Sequence, residues 1–265
     1  MLYVACVHID YSYNQFYRNL LAIDVRNVYN KYIVRYEDVM KIKDIKITNH
    51  KNLWLVPFLF IVGYSVTSFI DNWPLTWLAT WAFGLSGLYA VYGWPQTKQL
   101  FQPMHKPYLK KLVCLYLLMM IAVGVVTSFM SSGLGMKAEQ HVLLESDPES
   151  FSFATFTGLI TYLEDLVSAT GEEALMASVL LPIYSGLKSK KLGLAVTLLV
   201  GSVLFGLMHV FVYDFNLVSC IAVAIMRIFL TLAWFKTDSL RGGIYLHLFQ
   251  DGLVIGLTML LNTFM

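Results

Sequence analysis

The sequence predicts an all-α polytopic membrane protein of about seven transmembrane helices, with a buried polar site among the C-terminal ones. Three observations carry this reading. The 265-residue chain is 57% apolar and only 14% charged, and its mean hydropathy is +0.62; soluble domains carry about 25% charged residues. Several apolar stretches reach the ~20 residues needed to cross a ~30 Å hydrocarbon core. They are continuous rather than alternating, which argues against a β-barrel. Finally, Glu172, Glu173, His209, Arg227, His247 and Asp251 fall inside such stretches. A charge there costs roughly 2.5 kcal/mol or more, so these groups point to a function.

Residues 1–52 are polar to mixed, with eight Lys/Arg and five Asp/Glu, and read as a cytoplasmic or interfacial segment. Leu20, Leu21, Ile23, Val25, Val28, Tyr29 and Tyr32 suit a short amphipathic helix at the membrane surface. Met40 opens a basic stretch (Lys41, Lys43, Lys46, Lys51) directly before an apolar run, as an internal translation start would. No cleavable signal peptide is expected.

The expected spans are 53–70, 73–94, 112–135, 170–187, 192–213, 217–235 and 242–265. The first three, with their loops, form an N-terminal region over 53–150, and 151–265 forms the core that carries the site. Trp54, Trp73, Trp77, Trp94 and Trp234 fall near span ends, where amphipathic rings prefer to sit. The three prolines of 95–111 argue against a helix there. Segment 151–168 reads as a re-entrant or interfacial helix leading into 170–187, or as an eighth span.

Lys/Arg asymmetry sets the orientation. Lys98, Lys106, Lys110 and Lys111 mark one inside loop, Lys188, Lys190 and Lys191 another, and Lys236 and Arg241 a third. Asp71, Glu139, Glu145, Asp147, Glu149 and Asp214 fall on the opposite side. Seven spans with a cytoplasmic N-terminus satisfy every loop, whereas an eighth crossing would put Lys188–Lys191 outside. A net charge of +2 does not suggest a nucleic-acid partner. Cys6, Cys114 and Cys220 have no pair spacing, so neither a disulfide framework nor a zinc knuckle is expected.

The six buried polar residues form a pattern. Glu172 and Glu173 follow Thr170-Gly171, where a helix capped by Thr170 would begin. Adjacent carboxylates repel, and one poised between proton states can move a proton between water and a leaving amine. The bland reading is a capped helix start. His209 closes Phe205-Gly206-Leu207-Met208-His209, deep in the 192–213 span; alone it reads as a histidine satisfied by a neighbouring helix. His247 and Asp251, at i and i+4, share one helix face. They suit an oriented imidazole, one shared ligand or an internal ion pair.

In sequence order, Glu-Glu, F-x-x-x-H and H-x-x-x-D resemble the CAAX protease and bacteriocin-processing (CPBP, or Abi) family of intramembrane proteases. That family shows E-E-x-x-x-R, F-x-x-x-H and H-x-x-x-N/D on separate helices, and the resemblance covers about 151–260. It implies hydrolysis of a membrane-embedded or lipidated peptide within the bilayer. It further implies that Glu172, Glu173 and His209 activate water, while His247 and Asp251 stabilise the oxyanion, an effect that is strong where water is scarce. His209, His247 and Glu173 could hold Zn²⁺, although no H-E-x-x-H is present; a tightly bound structural metal is not expected and a catalytic one is left open.

One position departs from the family pattern. The motif arginine is Ala177 here. Arg227 is the expected replacement, paired with Glu172, Glu173 or Asp251. Snorkelling to the inner surface would need ~13 Å of helix from Arg227 to Lys236. Depth raises a second issue: Glu172 lies 16 residues from Lys188 and His209 lies 18 from Lys191, but His247 lies only six from Arg241. Two other functions compete with peptidase activity. A non-catalytic bacteriocin immunity or scaffold protein would suit the missing arginine. A transporter would suit midplane Glu, His and Asp groups, but no internal repeat supports it.

Overall fold

The computed structural model describes residues 41–69, 76–104, 107–137 and 152–264. All fall in one compact unit, Lys41–Met265. Among the described residues seven α-helices follow in order: α1 (Leu55–Phe69), α2 (Ala79–Leu100), α3 (Tyr108–Ser128), α4 (Phe156–Gly186), α5 (Lys190–Met208), α6 (Leu217–Thr237) and α7 (Leu240–Phe264). They take the places of the seven expected spans, and the described residues include no strand. Five, α3 to α7, are long and apolar enough to cross a membrane, α3 with its continuation to Gly133; α1 is apolar but shorter. The amphipathic helix expected near 20–32, Cys6, Met40, Asp71, Trp73, Lys106 and the acidic stretch from Glu139 to Glu149 lie outside the described residues.

Helix α4 is the axis of the bundle and packs on α2, α5 and α7. Small residues bring α2 and α4 together, Gly84 against Ala174 and Leu175 and Gly87 against Ser178. Close approach of this kind is how helices associate in lipid, where the hydrophobic effect gives no drive between them. On the N-terminal side, Ile42 and Ile45 are each 1% exposed, and the backbone N–H groups of Thr48 and Asn49 donate to Val91 O.

Three expectations need correction. Segment 151–168 is not a separate span: from Phe156 it is a helix that leads into 170–187, and it does so without a break, as the 31-residue α4. Its true N-cap is Thr155, which accepts from Gly158 N at 3.0 Å. Thr170, expected to cap a helix, instead lies inside the helix body, where it donates to Val167 O and accepts from Trp81 Nε1 of α2. Packing against α2 overrides the local Thr-Gly signal. Second, the prolines of 95–111 do not exclude a helix before Leu100. Gly93, at φ 71°, breaks α2, and the chain restarts with Pro95 in the first turn, where its missing N–H costs nothing. Third, His209 is not deep in a span; α5 ends at Met208 and His209 is its C-cap.

The depth mismatch of His247 has a physical answer. The α6–α7 turn does not end at the surface. Thr237, Ser239 and Leu240 are 0% exposed. Residues of the α2–α3 connection roof the turn: Ser239 Oγ donates to Gln102 O at 2.6 Å, Arg241 Nε donates to Phe101 O at 2.6 Å, and Gln102 Nε2 donates to Asp238 O at 3.2 Å. Six residues from Arg241, His247 thus meets Glu173 of α4 directly, Nδ1 to Oε1 at 3.1 Å.

Candidate active site

Successive residues of an α-helix point about 100° apart, so Glu172 and Glu173 face different surroundings. Glu173 is fully buried and turned toward α6 and α7. Arg227 meets it in a two-pronged pair, Nη1 to Oε1 at 2.6 Å and Nη2 to Oε2 at 3.0 Å. Trp234 Nε1 donates to Oε2 at 2.8 Å, and His247 Nδ1 lies 3.1 Å from Oε1. The guanidinium also donates through Nε to Thr231 Oγ1 at 3.1 Å and lies over the rings of Trp234 and Phe205. Every charge in this clamp has its partner, which is the condition for tolerating a fully buried ion pair. Gly243 makes room for it, since a Cβ there would meet both Trp234 Nε1 and Glu173 Oε2.

Glu172 turns the other way. It lines a partly open cavity of about 140 Å³ together with Asp165 and Ala169 of α4, Phe205 of α5, His209, Tyr213, Val223 and Met226 of α6, and His247, Gln250, Asp251, Val254 and Ile255 of α7. His209 Nδ1 lies 2.8 Å from Phe205 O. A carbonyl only accepts, so that bond puts the proton on Nδ1 and makes Nε2 the basic nitrogen of the neutral ring. His247 Nε2 lies 3.2 Å from Asp251 Oδ2. With Glu173 at Nδ1, both ring nitrogens meet carboxylates. In the connection after α5, burial and then the negative charges of Asp251 and Glu172 push the Tyr213 phenol up.

The structure thus brings four of the expected residues, Glu172, His209, His247 and Asp251, to one cavity and sets Glu173 and Arg227 behind it. Of the three partners considered for Arg227, it selects Glu173. Four further residues were not singled out from the sequence. Trp234 looked like an interfacial anchor, yet it is 0% exposed and holds Glu173. Asp165 lay in the ambiguous segment, and its i to i+7 spacing from Glu172 would have placed both on one face. Gln250 and Tyr213 had no signal beyond nearness to His247 and His209.

The trio His209, His247 and Glu173 does not fit a metal. Both Glu173 oxygens already accept from Arg227 and Trp234, and His247 Nδ1 is turned to Glu173. Among the described residues, no group of three His, Cys, Asp or Glu side chains is placed to hold a metal ion.

Residues 148–253 match the family model for type II CAAX prenyl endopeptidase, Rce1-like. No curated protein and no solved structure matches the chain.

Proposed function

Because residues 148–253 are a domain of the CPBP/CAAX protease family, we propose that this multi-pass membrane protein is an intramembrane endopeptidase whose catalytic base is Glu172. The observation that carries the reading is the single cavity shared by Glu172, His209, His247 and Asp251. A water held between Glu172 and His209 loses a proton to the glutamate and attacks the peptide carbonyl. The protonated glutamate then returns that proton to the leaving amine.

His247 lies across the cavity as the stabiliser of the oxyanion. An ionised Asp251 would repel an oxyanion, so its role is to hold the ring. Its side chain is 26% exposed against 5% for His247, so Asp251 can swing aside when substrate binds and release Nε2–H for the oxyanion. Glu173 is a positioning residue, fixing His247 Nδ1 from behind. No step needs a metal, in keeping with the donor set.

The immunity or scaffold reading rested on Ala177. Arg227 brings the missing charge from α6 instead of α4, which supports catalysis. We further assign the Lys188–Lys191 end of the bundle, and the N-terminus, to the cytoplasm. The substrate is a membrane-associated or lipidated peptide, with bacteriocin processing or self-immunity as its setting.

The test uses wild type, Glu172→Gln and His209→Ala at matched membrane levels in a host lacking the gene. Secreted and membrane peptides are compared by mass spectrometry, and the same cells are challenged with bacteriocins. A cleaved peptide found with wild type and lost in both variants supports the reading. Protection that survives both substitutions, with no cleaved peptide, sinks it in favour of a binding protein.

A further inference from the structure

The cavity holds more hydrogen-bond acceptors than the proposed chemistry uses. Asp165, Ala169 and Glu172 form one stripe of α4 along its wall. Asp165 Oδ2 is buried and has no hydrogen-bond partner. Gln250 faces the same space from α7; it is only 9% exposed, and its Oε1 is also without a partner. Buried acceptors left unpaired are costly, and a buried carboxylate most of all. The neighbouring cations are already engaged: Arg227 is bound to Glu173, and His247 lies between Glu173 and Asp251. Three carboxylates, Asp165, Glu172 and Asp251, therefore line the space, and Arg227 is not among its lining residues.

We propose that Asp165 and Gln250 form an acceptor subsite of the cavity that takes a protonated amine of the substrate. Asp165 supplies the counter-charge and Gln250 Oε1 a second acceptor for the ammonium hydrogens. The amine is either a lysine side chain beside the scissile bond or the free α-amine of the peptide. This rests on the peptidase reading above and adds a preference that the catalytic residues do not supply.

Binding is measured first, on the full chain in lipid nanodiscs, with n-hexylamine and n-hexanol as probes. Hexylammonium should raise the melting temperature of wild type in a saturable way, and hexanol should not. Asp165→Asn, nearly isosteric, should weaken amine binding roughly tenfold or more; Asp165→Glu should recover part of it, and Gln250→Leu should give a smaller loss. Equal responses to amine and alcohol, or amine binding untouched by Asp165→Asn, would overturn the proposal. Transmembrane peptides then separate the two sources: lysine against norleucine for the side chain, free against acetylated N-terminus for the α-amine. Amine binding without any cleavage by wild type defeats the peptidase reading alone. Cleavage that needs Glu172 but shows no amine preference defeats the subsite alone.

Discussion

Glu172 and Glu173 are neighbours in the chain and opposites in the fold. Glu173 accepts four close donor contacts from Arg227, Trp234 and His247 in a fully buried clamp. Glu172 lines a cavity with two histidines and two aspartates. The same side chain, moved by one position on one helix, is either clamped by buried donors or turned to a cavity. A carboxylate whose lone pairs are all engaged cannot take a proton from water without breaking the clamp. One that faces a cavity can.

The largest expected effect on stability is on the clamp side. Glu173→Gln leaves the Arg227 guanidinium buried without its counter-charge and should cost about 3–5 kcal/mol. Thermal denaturation in detergent reads this as a clear fall in melting temperature. Arg227→Met should cost as much alone. The pair Glu173→Gln with Arg227→Met should cost less than the sum of the two, because no unpaired charge remains. Additive losses would mean that the two residues are not coupled. Trp234→Phe removes one donor to a charged acceptor and should cost about 1.5–3 kcal/mol. Gly243→Ala drives a methyl group against that same bond, at about 1–3 kcal/mol. A smaller stability effect than at the clamp is expected for Asp251→Asn, whose carboxylate is the more exposed of the two that meet His247. Its cleavage rate should still change.

Much of this contrast was legible in the sequence, for identifiable reasons. Charged groups in apolar spans are rare enough that Glu172, Glu173, Arg227, His247 and Asp251 stood out from composition alone. The i, i+4 spacing gave the His247–Asp251 contact, and the cost of an unpaired guanidinium gave Arg227 a partner. Which carboxylate it takes was not legible, because helix rotation tells which residues diverge but not which side faces α6. Trp234 was hidden by a strong prior, since a tryptophan near a span end normally sits at the interface. The helix boundary at Thr170-Gly171 failed for a different reason. Local capping signals compete with packing, and Trp81 of α2 takes the Thr170 hydroxyl inside an unbroken helix. The depth of His247 depended on a roof of residues 100–104 over the α6–α7 turn, a long-range contact with no local signature.

The most direct test measures melting temperature and peptide cleavage together on two variants, Glu172→Gln and Glu173→Gln. Glu172→Gln should abolish cleavage, a loss of at least ~10²-fold, while melting close to wild type. Glu173→Gln should melt well below wild type, and its folded fraction should keep far more cleavage than Glu172→Gln does, reduced only by the looser hold on His247 Nδ1. If Glu173→Gln instead kept the wild-type melting temperature and lost all cleavage, while Glu172→Gln stayed active, the two glutamates would have exchanged roles and the account would be wrong.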